Sequence, residues 1–143
     1  MFDFENINFN DKKEFYHQIN IYLLSMIQDE PDWLAGLANV SALLYQLMPK
    51  INWAGFYLNK GGELVLGPFQ GKPACIHINY GKGVCGTAAK TGEIQIVEDV
   101  NLFPGHIACD SESQSEIVLP VIQHQRLIGV LDIDSPVKAR FDQ

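Results

Sequence analysis

Cys75, Cys85 and Cys109 are the side chains of this sequence with the widest chemical range, and they lie ten and then twenty-four residues apart. A free thiol is either small buried filler or a nucleophile and redox group. Cys109 departs from the filler pattern, because its flanks, Gly105-His106-Ile107-Ala108 and Asp110-Ser111-Glu112, are those of an exposed loop. An odd count of three cysteines fits poorly with a secreted disulfide framework and predicts free thiols in a reducing compartment.

Acidic residues form the second set. Asp132 and Asp134 are two apart in an apolar run, so on a strand both project from one face, together with Ile128 and Val130. Such a face is either solvated, in which case the acids need no partner, or the wall of a cavity. In a cavity, like charges this close require a proton or a cationic guest such as an amino-acid ammonium. Glu116 opens the neighbouring strand, and Trp53 and Tyr57, four apart, share a face as either a core pair or two aromatic walls. Cys75, His77, His106 and Cys109 could offer zinc donors, but paired Cys-x2-4-Cys knuckles are missing, so no metal is expected. Gly81-Lys82-Gly83-Val84-Cys85-Gly86 matches a dinucleotide fingerprint only superficially, because the chain has no βαβ pattern.

The elements that would position these residues follow from periodicity. A helical stripe of Phe15, Ile19, Leu23, Met26 and Ile27 predicts a helix from Asp11 to Gln28 with Asn10 as cap. Leu34, Leu37, Ala38, Ser41, Leu44, Tyr45 and Met48 predict a second from Asp32, closed by Pro49. The period then becomes two. Trp53 to Leu58 and Glu63 to Phe69 flank Asn59-Lys60-Gly61-Gly62 as a hairpin, and Ala74 to Asn79 reads as a third strand. Val84 to Lys90 reads as a short helix closed by Thr91-Gly92, and Ile94 to Val97 as a strand. Asn101 to Ser115 is a long loop with Cys109 near its middle, and Ile117 to Ile122 and Leu127 to Ile133 form a last hairpin around His124-Gln125-Arg126. This order predicts an α+β fold of one domain, residues 1 to 143, with helices on one face of an antiparallel sheet and a ligand pocket on the other.

Composition narrows the partners. With 143 residues, 47% of them apolar and 19% charged, the chain can bury a core without disulfide staples. A net charge of -7 with only 10 scattered Lys and Arg disfavours nucleic acid. The start Met1-Phe2-Asp3-Phe4-Glu5 has no cationic signal-peptide stretch, and Ile21 to Ile27 is too short to span a bilayer, so a cytoplasmic location is expected.

Five segments together carry a resemblance. They are Gly67-Pro68-Phe69-Gln70-Gly71-Lys72-Pro73-Ala74-Cys75, Gly83-Val84-Cys85-Gly86-Thr87-Ala88, Phe103-Pro104-Gly105-His106-Ile107-Ala108-Cys109-Asp110, Ser115-Glu116-Ile117-Val118 and Gly129-Val130-Leu131-Asp132-Ile133-Asp134-Ser135-Pro136. From about Trp53 to Asp142 the chain resembles the free methionine-R-sulfoxide reductases, a GAF-domain family. The resemblance implies that Cys109 is the catalytic thiol, that Cys75 is the preferred resolving partner, and that Cys85 is a second one or a relay. It also implies that Trp53 and Tyr57 wall the pocket and that Glu116, Asp132 and Asp134 bind the amine and sulfoxide of free methionine sulfoxide. No cofactor is implied beyond an external dithiol such as thioredoxin. Family members usually continue after Arg140-Phe141-Asp142 into a helix on the sheet that can bear on a homodimer contact, whereas this sequence stops at Gln143, and His77 stands where arginine is commoner.

The implied chemistry is attack of Cys109 on a sulfoxide sulfur whose oxygen is polarised by Glu116 or Asp134, giving thioether and a sulfenic acid that Cys75 resolves. Asp110, Glu112 and Glu116 around Cys109 favour the thiol over the thiolate at rest. A GAF module that senses a small ligand without chemistry, and a thiol peroxidase, are the alternatives. A sensor has no use for a resolving cysteine.

Overall fold

The first two apolar stripes form α1 (Lys12–Ile27) and α2 (Trp33–Leu47) in a computed structural model that describes residues 4, 7–106 and 109–143. The cap of α1 is Asp11, not Asn10: its carboxylate accepts from the Glu14 amide at 3.0 Å. A carboxylate there also complements the helix dipole, which an amide side chain does not. Asp32 caps α2 through the Leu34 and Ala35 amides. The buried face of α2 runs through Gly36, Ser41, Leu43, Leu44 and Leu47, whereas Leu34 and Tyr45, members of the expected stripe, are exposed. The helix packs on α1 as well as on the first two strands, and two partners select a different arc from the one a single partner would.

Six strands form one sheet: β1 (Trp53–Lys60), β2 (Glu63–Gly71), β3 (His77–Asn79), β4 (Gln95–Val97), β5 (Ser115–Gln123) and β6 (Arg126–Ser135). Their order is β3-β2-β1-β6-β5-β4 and every neighbouring pair is antiparallel, so the Gly81–Gly86 glycines sit in no βαβ unit. The β1–β2 hairpin turns on Gly61 and Gly62, with φ of 65° and 90°. The β5–β6 hairpin turns on His124 and Gln125, also with positive φ, and Arg126 already pairs with Gln123. Two positive-φ residues give a turn whose twist matches the strands it joins.

Two local expectations are corrected. The third strand is shorter than Ala74 to Asn79, because the Cys75 carbonyl accepts from the Tyr57 hydroxyl and is thereby drawn out of the ladder. Ile128 does not share a face with Asp132. Val121 pairs with Gly129 but Ile122 with Leu127, so Ile128 is an extra residue in β6, turned toward Trp33, Phe56 and Leu58 on the α2 side.

The sheet separates two cores. On one face Phe15 and Ile19 of α1 and Leu43 and Leu44 of α2 pack with Ala54 and Ile133 of the sheet. On the other face Trp53, Tyr57, Leu64, Val84, Cys85, Val118 and Val130 pack around α3 (Gly83–Thr91). Gly92, in the left-handed region at φ 70°, ends α3. Gly86 lets α3 approach β3: a Cβ there would lie 2.4 Å from the Asn79 carbonyl oxygen. Asp99 caps a 3-10 turn over Val100–Leu102, which shortens the expected Asn101–Ser115 loop. No helix among the described residues is long and apolar enough to cross a membrane.

Candidate active site

Strand register assembles the acids. Asp134 lies between Trp53 of β1 and Glu116 of β5, and Asp132 lies opposite Gly55 and Val118. Alternation then sends Trp53, Tyr57, Glu116, Asp132 and Asp134 to the face that carries α3, whose first turn supplies Cys85. These six residues and Cys109 line one cavity of about 40 Å3. Cys75 is bonded to Cys109 in a disulfide with the two Cα atoms 5.8 Å apart, and Cys85 is a buried free thiol. All eight expected site residues thus meet at one place, and the inward reading of Asp132 and Asp134 is the one the fold adopts.

The acids are unusually dry. Glu116 and Asp132 are each 6% exposed, and the Asp132 Oδ1 atom is buried without a hydrogen-bond partner. Burial first, and repulsion by Asp134 second, push Glu116 up to about 8. Burial and the neighbouring Glu116 hold Asp132 well above its ordinary value, and burial with Asp132 and Asp110 does the same for Asp134. Burial, then Asp132 and Glu116, keep the Cys85 thiol protonated; its Sγ lies 3.9 Å from Glu116 Oε1. His106 Nε2 is 3.7 Å from Glu116 Oε2, and burial lowers its affinity for a proton. Such a pocket resists full ionisation of its acids and favours a cation that would offset their charge.

The two aromatic residues have a further duty that spacing did not reveal. Trp53 stacks on Phe69 and Tyr57, with centroids 5.2 Å and 5.9 Å away. Its indole N–H donates to the Lys72 carbonyl at 3.1 Å, and the Tyr57 hydroxyl donates to the Cys75 carbonyl at 2.9 Å. Both rings therefore anchor the segment that carries Cys75. Across from it, Asn52 Nδ2 donates to Asp110 Oδ2 and Ser113 Oγ, and Lys72 Nζ contacts Glu112 at 2.6 Å and Asp110 at 3.7 Å.

Lys72, Asn52, Ser113 and the position of His106 beside Glu116 were missed by spacing, since each acts across segments distant in sequence. Lys72 also tempers the expected crowding of Cys109 by Asp110 and Glu112, because Glu112 points to solvent and pairs with this ammonium. The conceivable zinc set does not assemble: Cys75 and Cys109 are bonded to each other, and His77 is exposed beside Glu63. Ile107 and Ala108, within the loop that leads to Cys109, lie outside the described residues.

Comparison with known proteins places this geometry. The GAF domain family matches residues 32–143. The free methionine-R-sulfoxide reductase of Escherichia coli (strain K12) is 55% identical over 131 residues, 92% of this chain and 79% of that protein. The free methionine-R-sulfoxide reductase of Neisseria meningitidis, solved in complex with its substrate, superposes with a TM-score of 0.92 at 45% identity, covering 96% of this chain and 83% of that one. The reduced form of fRMsr of Staphylococcus aureus gives 0.88 at 49% identity, covering 100% and 88%. An acid-walled pocket opening on a cysteine pair, carried by a six-stranded antiparallel sheet of this order, is here joined to identity along almost the whole sequence: the chain belongs to the free methionine-R-sulfoxide reductases of the GAF-domain family.

Proposed function

We propose that this enzyme reduces free methionine-R-sulfoxide to methionine, with Cys109 as nucleophile and Cys75 as resolving thiol. The observation that carries the reading is the buried Asp132 Oδ1 atom without a partner, in a cavity that also opens on Cys109. A substrate ammonium would satisfy that oxygen and compensate the crowded acids. The first N–H groups of α3, which lack partners within the helix, border the same cavity and suit the substrate carboxylate. A methionine sulfoxide inside a peptide has neither terminal charge, so this placement selects the free amino acid. Trp53 and Tyr57 would flank the side chain.

In the first step the Cys109 sulfur attacks the sulfoxide sulfur while Glu116 or Asp134 protonates the sulfoxide oxygen; the resulting hydroxyl passes from the substrate sulfur to the Cys109 sulfur, and the thiol proton returns to the carboxylate. Thioether leaves and Cys109 becomes a sulfenic acid. The Cys75 thiol then attacks the sulfenic sulfur, one water is released, and the disulfide seen here forms. Two electrons from an external dithiol of the thioredoxin kind, in the cytoplasm, reopen it. Cys85 stands aside from that pair as a reserve thiol.

Single-turnover assays with reduced protein test the assignment. A Cys75→Ser variant should yield one methionine per chain and a sulfenic acid at position 109 that dimedone traps, whereas Cys109→Ser should yield none. Methionine production by Cys109→Ser at the wild-type rate would remove Cys109 from the reaction. Wild-type protein that produces none with dithiothreitol would leave a ligand-sensing GAF module.

A further inference from the structure

We propose that Cys85, Glu116 and Asp132 form a binding site for one thiophilic divalent cation of the Zn2+ or Cd2+ class, which blocks the pocket and takes no part in turnover. One sulfur and two carboxyl oxygens of these residues lie within 4.8 Å of one another, and all three residues are buried. Around a tetrahedral zinc, Zn–S of about 2.3 Å and Zn–O of about 2.1 Å put neighbouring donors about 3.5 Å apart. Cys85 Sγ and Glu116 Oε1 are already 3.9 Å apart, so small side-chain rotations close the set. The unpartnered Asp132 Oδ1 is an independent sign that the site awaits a positively charged occupant.

The donor set selects the metal. Hard Mg2+ or Ca2+ gains little from a sulfur ligand, whereas zinc and cadmium bind thiolate strongly enough to displace its proton. Binding expels the Cys85 proton and any protons on Glu116 and Asp132, leaving one thiolate and two carboxylates around a charge of two. A cavity of about 40 Å3 has room for the ion and for water in a fourth position. Because Cys75 and Cys109 are paired with each other, the site is complete in the disulfide form and can be examined without turnover. The inhibition it implies rests on the substrate placement proposed above, since the ion would occupy the position of the ammonium.

Equilibrium dialysis of chelator-stripped disulfide protein against Zn2+ should give one bound ion per chain. Cd2+ should give the ultraviolet band of sulfur-to-cadmium charge transfer, which in this form only Cys85 can supply. Cys85→Ser, checked by circular dichroism for folding, should abolish the band and weaken binding at least tenfold, and Asp132→Asn should weaken binding while keeping the band. Absence of stoichiometric binding, or a bound cadmium without the band, overturns the site; the wild-type spectrum decides even if a variant fails to fold. Free methionine sulfoxide should displace the ion. Cys85-dependent binding indifferent to methionine sulfoxide would uphold the metal site and overturn the ammonium placement instead.

Discussion

Glu116 shows how far a residue's surroundings can redirect its chemistry. Its carboxyl, ordinarily at 4.5, is pushed up to about 8 by burial and by Asp134, so the folded protein holds a proton there that the unfolded chain releases. The sign follows from linkage: where the native state binds the extra proton, stability falls as pH rises, from the unfolded value near 4.5 through the folded value near 8. Glu116→Gln cannot titrate. Between pH 5 and pH 8 the substrate-free wild type should lose about 3 kcal/mol of unfolding free energy relative to this variant, at 1.36 kcal/mol per pH unit. Denaturant titrations of the two proteins at both pH values measure the difference, and parallel losses would place the titration elsewhere. The same proton makes Glu116 a usable acid at neutral pH, so the variant should also lose roughly 10² to 10⁴ in sulfoxide reduction.

At the scale of elements, α3 and the Lys72–Cys75 segment are held by contacts too close to vary. Gly86 permits the α3 approach, and a Cβ 2.4 Å from the Asn79 carbonyl forces helix and strand apart. Gly86→Ala should cost about 1 to 3 kcal/mol, the usual range for overpacking, and should move Cys85 away from Glu116. Denaturant unfolding gives the cost, and unchanged stability would mean that α3 yields without resistance. The helices, hairpins and the short α3 were legible in the sequence because apolar periodicity, paired turn residues and Gly92 act within a few residues of the elements they bound, although the cap of α1 is Asp11, one residue beyond the expected Asn10. The Ile128 bulge, the shortened β3 and the Trp53 and Tyr57 tethers were not, since each is decided by a partner strand or segment far along the chain. Likewise the types and spacing of Asp132 and Asp134 showed a shared face, but which way it pointed required the second layer of packing.

Across the whole molecule, one sheet carries a helical core on one side and the candidate pocket, with the Cys75–Cys109 disulfide beside it, on the other. The tail after β6 is tied back to the sheet by buried Ser115, which donates to the Val137 carbonyl at 2.6 Å and accepts from the Arg140 amide at 3.3 Å, while buried Ser135 joins β6 to the α2–β1 connection by donating to the Lys50 carbonyl at 2.6 Å. That leaves the Lys72–Cys75 segment and the loop through Cys109 as the parts whose connection depends on oxidation state. The Cys75–Cys109 bond joins residues 34 apart in sequence, and a crosslink of that span restricts the unfolded chain by about 3 to 4 kcal/mol. Tyr57, Trp53 and Asn52 also hold both segments, through bonds that need no disulfide. The crosslinked protein should therefore melt roughly 10 °C above the reduced one, at 2 to 4 °C per kcal/mol for a chain of about this size. Calorimetry with and without a phosphine reductant checks this, with Cys75→Ser expected to melt with the reduced form under both conditions. Equal melting of oxidised and reduced wild type would mean that closing the bond distorts the fold by as much as it constrains the unfolded chain. If the difference is found, the same free energy would, in the cycle proposed above, bias the sulfenic acid toward closure and set what the external dithiol must overcome.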